Sequence, residues 1–248
     1  MKKTLRIAAL IMVLVLTCVC FASCSKNESE EKNTKAETTE PAKTKSDETE
    51  EVKKVVEDYF DAKKKELDEL DDIWKNIEEF VAKDSEAYEE HKDFSEEKEE
   101  MVDLYAEGFC CDDSQAEDIL ITMYNYFAKE TKYEIDKVEV NDNKATVTYE
   151  IKMPDTSDDG QQFEDYLAEE YNKAIENYIF EDWEEGTWEL FQTDTGVQEQ
   201  VKSEFAIDYP DELNEILLNA MKKLDTIKEN NTFTLEKIDD KWLIVNYD

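Results

Sequence analysis

Residues 132–153 read KYEIDKVEVNDNKATVTYEIKM, where the apolar period changes from that of helix to that of strand. Tyr133, Ile135, Val138 and Val140 mark a first strand whose alternation slips near Asp136, the signature of a bulge. Asn141-Asp142-Asn143 supplies residues that tolerate the left-handed conformation a hairpin turn needs. Ala145, Val147, Tyr149, Ile151 and Met153 then share one face of a second strand, which Pro154 ends. The segment is therefore a β-hairpin with one apolar face.

On the N-terminal side the period lengthens to that of helix. Val52, Val55, Val56, Tyr59 and Phe60 form one apolar stripe, and Leu70, Ile73, Trp74, Ile77, Phe80 and Val81 a second. Residues 82–99 are almost all charged, with Tyr88 and Phe94 as apolar punctuation. Met101, Leu104 and Tyr105 predict a third helix, broken at Gly108. Ser114 and Glu117 fit a capping box that opens a fourth, carrying Ile119, Leu120, Met123, Tyr124 and Phe127.

On the C-terminal side one helix carries Phe163, Tyr166, Leu167, Tyr171, Ile175 and Tyr178, and another Val197, Val201 and Phe205. Pro210 suits the first turn of a helix burying Leu213, Ile216, Leu217, Ala220, Leu224 and Ile227. The sequence closes with a second hairpin, TFTLEKI and KWLIVNY about Asp239-Asp240. The pattern predicts a helix-rich α+β domain with a curved four-stranded antiparallel sheet of two hairpins, spanning 50–248.

Ahead of that domain the chain reads as an address. Lys2, Lys3 and Arg6 precede an apolar run from Ile7 to Val19, too short for an ordinary transmembrane helix. Phe21-Ala22-Ser23-Cys24 follows and resembles a lipobox, with Phe21 where Leu or Val is commoner. The expectation is a cleaved lipoprotein signal over 1–23 and a diacylglyceryl anchor on Cys24, each buried methylene contributing roughly 0.8 kcal/mol. A plain secretory signal or an uncleaved anchor is the alternative. Removing Lys2, Lys3 and Arg6 would take the formal charge from −37 to −40. Residues 25–49 hold no aromatic and no aliphatic residue beyond Ala36 and Ala42, and predict a disordered tether on the order of 30 Å long. The expected location is the extracytoplasmic face of a cell membrane, held there by lipid.

With 66 acidic against 29 basic residues and no basic stripe, nucleic acid is excluded as a partner. The charge keeps an exported domain soluble and could attract cations or cationic peptides.

Val55-Val56 with Tyr59-Phe60, then Ala145-Thr146-Val147, then Asp239-Asp240-Lys241-Trp242, fall in the order helices, hairpin, helices, terminal hairpin. In this the chain resembles the cystatin-like, nuclear-transport-factor-two-like domains of Gram-positive bacterial lipoproteins. The resemblance implies a curved sheet wrapped around helices, often with a conical pocket. It implies no activity, since such domains include enzymes, binders and interaction modules. The extra helical length here could fill the pocket.

Chemistry-bearing residues are few. His91 is the sole histidine and stands in a charged helix, which excludes an HExxH site. Cys110-Cys111 could close a vicinal disulfide, bind a soft metal, or simply pack. Asp155, Ser157 and Asp159 match the start of a calcium loop, with Gly160 at its sixth position, but Tyr166 stands where a bidentate Glu is needed. Trp183, Trp188 and Phe191 could stack on a sugar or a peptide, or pack a loop onto the core. No cofactor is implied. The favoured function is a non-catalytic binding or interaction module with a small-molecule, glycan or protein partner. The alternatives are an enzyme using a carboxylate in the sheet concavity and a structural or envelope-stress lipoprotein.

Overall fold

The structure is a computed structural model that describes residues 45–155, 161–184 and 186–247. The expectations for residues 1–44, including Cys24 as the lipid site, lie outside the described residues.

The chain runs α1 (Lys45–Lys63), α2 (Asp72–Ile77) with a 3₁₀ turn (Glu78–Phe80), α3 (Glu86–Phe109), α4 (Asp113–Glu130), β1 (Lys132–Asn141) and β2 (Lys144–Pro154). It continues through α5 (Gln161–Asp182), α6 (Thr187–Phe191), α7 (Thr195–Asp208), α8 (Pro210–Met221), β3 (Thr226–Ile238) and β4 (Lys241–Tyr247). The fold is helix-rich α+β, with one antiparallel sheet ordered β1-β2-β3-β4, so the two hairpins join through β2 and β3.

The sheet's inner face is built by alternation and corrected by two bulges. Ile135 and Val138 lie three apart, a spacing that would put them on opposite faces. Asp136 is the unpaired residue that restores the phase, where the sequence predicts the slip. Ile244 and Tyr247 pose the same problem on β4, and the register shift opposite Thr234/Leu235 leaves Val245 as the extra residue. Cross-strand rows Ala145–Leu235–Ile244 and Val147–Phe233–Tyr247 result, all buried. The β3–β4 turn places Asp239 and Asp240 at φ 48° and 62°, the two left-handed residues of a type I′ hairpin.

Four boundaries differ from the sequence reading. Helix α1 opens at Lys45, inside the stretch read as tether. Asp47 and Glu48 sit in its first turn, and Glu48 accepts from Lys237 Nζ of β3 at 2.9 Å. Gly108 does not break α3, which also takes in most of the charged stretch. The helix runs on to Phe109 and stops at Cys110, in the left-handed conformation at φ 54°. The capping box of α4 is Asp112–Gln115, two residues before the predicted pair. Asp112 Oδ1 accepts from the Gln115 amide at 2.9 Å, and Gln115 Oε1 accepts from the Asp112 amide at 3.1 Å. Gln115 Nε2 also donates to the Ala206 carbonyl at 2.7 Å, tying α4 to α7. Finally, Ile227 belongs to β3 and pairs with Met153. Residues 228–231 are polar and hide the strand period, but β2 offers a full ladder of backbone partners.

Two apolar clusters form. Helix α1 packs Val52, Val56, Tyr59 and Phe60 on the inner face of the sheet, and helices α3 to α8 build a second core around Met101, Leu120, Ile175, Phe205 and Leu217. Phe127 touches both. The chain crosses between layers after α1, where Asn125 clasps Leu67: Oδ1 accepts from its amide at 2.8 Å and Nδ2 donates to its carbonyl at 3.1 Å.

Candidate functional site

Helix α1 fills the sheet concavity. The Phe60 ring stacks on Tyr133 with centroids 3.8 Å apart and meets Tyr149 and Phe233 at 5.1 and 5.5 Å. Tyr59 meets Phe233 edge-on at 5.4 Å and donates to the Tyr247 hydroxyl at 3.3 Å. What stays open is a groove of about 290 Å³ at the β1 edge, bounded by Phe60 and Tyr133 and rimmed by Glu57, Asp61 and Lys64.

Openings in the helical layer are of two kinds. A cleft of about 900 Å³ runs past Tyr126, Leu218 and three lysines, Lys64, Lys129 and Lys222. These lysines stand at the C-terminal ends of α1, α4 and α8, where ammonium groups offset the helix dipoles. That placement accounts for them without a ligand. A smaller pocket of about 250 Å³ lies between α3 and α5. Its lining is apolar and aromatic, from Leu104, Tyr105, Phe109, Leu167 and Tyr171, with Glu164 and Lys202 also on it. Gly108 lines it too, a residue that gives up about 1 kcal/mol inside a helix relative to alanine. Burial pushes the Tyr105 and Tyr171 hydroxyls well above the usual phenol range. The Tyr171 hydroxyl donates to the Phe109 carbonyl at 3.4 Å, whereas the Tyr105 hydroxyl is buried with no protein partner among the described residues.

Of the aromatics singled out from sequence, Phe191 is buried and Trp183 and Trp188 are half-buried against the helical core. The most exposed large apolar side chains are others: Phe180, Leu190, Ile207 and Ile238. Phe180 at the end of α5 is 67% exposed and Leu190 on α6 is 53% exposed. Trp188 links inside to outside: it stacks on Phe191 at 5.5 Å with planes 11° apart and reaches Phe180 at 6.5 Å. The turn into α6 needs Gly186, whose φ of 95° disfavours any side chain. Phe180 has a sequence signal, since it follows the buried pair Tyr178-Ile179 and lies off their face in a helix of 3.6-residue period. Nothing in the sequence marks the Tyr105 hydroxyl.

The remaining candidates separate. Cys110 and Cys111 are both free thiols here, the first closing a helix and the second packed on its core. Burial, with Asp112 adding to it, pushes the Cys111 thiol up to about 11 and so disfavours the thiolate a metal pair needs. Of the calcium-loop residues, Ser157 and Asp159 lie outside the described residues. The Asp155 amide donates to the Asp225 carbonyl at 2.7 Å, extending the β2–β3 ladder. Among the described residues no group of three or more His, Cys, Asp or Glu could hold a metal ion. His91 lies within α3, and its side chain falls outside the described residues. Hydrogen bonds from Lys98 and Lys223 hold the Asp71 and Glu170 carboxyls below their usual range. No helix among the described residues is long and apolar enough to cross a membrane.

The chain matches no family model, no curated protein and no solved structure.

Proposed function

We propose that the chain is a lipid-anchored, non-catalytic interaction module at the outer face of a cell membrane. The address rests on the n-region, the apolar run and Cys24, and the cystatin-like character on the order of elements. The observation that carries the function is the filled concavity. Where a conical pocket would place a substrate, Phe60 and Tyr59 lie packed against Tyr133, Tyr149 and Phe233. The large apolar side chains Phe180 and Leu190 face solvent instead.

A second reading, a small-molecule binder, is favoured by the buried Tyr105 hydroxyl beside the pocket between α3 and α5. Thermal-shift measurements on residues 25–248 separate the two. For the interaction module, peptides raise the melting temperature in a concentration-dependent way, and calcium, wall sugars and common metabolites leave it unchanged. A shift with a metabolite that Tyr105→Phe diminishes would transfer the function to the pocket. The address has its own check: Cys24→Ser should release the protein from the membrane fraction, and retention there would remove lipidation from the proposal.

A further inference from the structure

The corner formed by the end of α5 and α6 combines two properties. One is an aromatic series leading from the core to solvent: Phe191 is buried, Trp188 is half-buried and stacked on it, and Phe180 is exposed and in contact with Trp188. Trp188 is thus held between the core and Phe180. The other is charge of a single sign. Residues 174–201 contain eight acidic residues and no lysine or arginine. Glu181, Glu184 and Glu189 are exposed and form no ion pair among the described residues. Earlier on α5 the situation differs, since Glu169 and Glu170 share Lys223 at 3.0 and 2.9 Å.

We infer that this ledge docks a cationic amphipathic segment of a partner protein, its apolar face covering Phe180 and Trp188 and its lysines or arginines reaching Glu181, Glu184 and Glu189. Large anchored aromatics are the residues that concentrate binding energy at interfaces, and an apolar helix face is a recurring way to cover them. Charge selects among occupants. An anionic bilayer would be repelled by the rim. A second copy related by a two-fold axis would bring the same acids face to face. A basic segment relieves the uncompensated charge and is steered toward it.

The inference rests on the interaction-module reading, and the experiment separates the two. The probe is a synthetic amphipathic helix of leucine and lysine, titrated against the full chain by fluorescence anisotropy. Controls are a sequence-scrambled peptide and a leucine–glutamate analogue. The expected result is binding of the leucine–lysine helix alone, weakening as salt is raised. Phe180→Ala should reduce affinity about tenfold. The pair Glu181→Lys with Glu184→Lys should reduce it by a similar factor of about ten and flatten the salt dependence. These side chains are exposed, so the variants should keep the parent melting temperature. Ile238→Ala, an exposed apolar residue at the β3–β4 turn, should leave affinity unchanged. If the helix binds but Phe180→Ala has no effect, the ledge is overturned and the interaction module stands. If the glutamate analogue binds equally, or nothing binds, the cationic partner is overturned, and the thermal-shift series then decides the wider reading.

Discussion

Cys110 shows how a single backbone conformation explains an odd pair of residues. At φ 54° and ψ 37° it ends α3, and the Cys111 amide donates back to the Ala106 carbonyl at 3.1 Å in a Schellman-type closure. Glycine occupies such positions most readily, because any Cβ is strained there by roughly 1 kcal/mol. Cys110→Gly is therefore expected to stabilise the fold by about 1 kcal/mol in urea denaturation. A loss of stability would show that the sulfur does more than end a helix. Gly108, the more obvious breaker, lies two residues earlier and continues the helix, because glycine permits a helix end without dictating one. The φ that stops α3 is set where the chain must turn to place Asp112 at the cap of α4.

At the scale of elements, the sheet alone would be a half-exposed curved surface, and α1 completes it. The i, i+4, i+7, i+8 spacing of Val52, Val56, Tyr59 and Phe60 gives α1 a buried stripe that reaches residues of all four strands. Phe60 is the residue through which this contact can be tested. Phe60→Ala should destabilise by about 3–5 kcal/mol, since it removes a stacked partner of Tyr133 and leaves a cavity. Urea denaturation measures the loss. A loss under about 1 kcal/mol would mean that α1 is only loosely seated and the concavity can open. The same packing shows why the α1 stripe was legible and its consequence was not: the spacing identifies an apolar face, while the surface it meets comes from strands more than seventy residues away.

At the scale of the molecule, two apolar cores are held under a strongly acidic surface, and ionisation links them to pH. Burial raises Tyr178 to about 12, with Asp208, which accepts its hydroxyl proton at 2.9 Å, acting in the same direction. Tyr105 and Tyr171 move the same way. A phenol whose folded value lies above its unfolded value of 10.0 loses its proton first in the unfolded chain. Its contribution to stability is complete below about pH 10 and is lost as pH rises toward 12. Urea midpoints should therefore hold up to about pH 10 and then fall, and the phenolate absorbance of these tyrosines should appear only together with unfolding. Phenolate absorbance from all tyrosines of the still-folded protein near pH 10 would contradict this burial.

Alternation and 3.6-residue periodicity are local and each apolar face must be buried, so the two hairpins, the bulge at Asp136 and the helix-rich α+β class are legible in the sequence. It also supplied the grounds for expecting a lipid on Cys24. Tertiary packing sets the closed concavity, the interior Phe191 beside an exposed Phe180, the pairing of Ile227 in a strand and, among the described residues, the acids near Phe180 that form no ion pair. Each of these depends on which distant segment covers a given face. Periodicity records that a face is apolar, but packing alone sets what meets it and what is left to solvent.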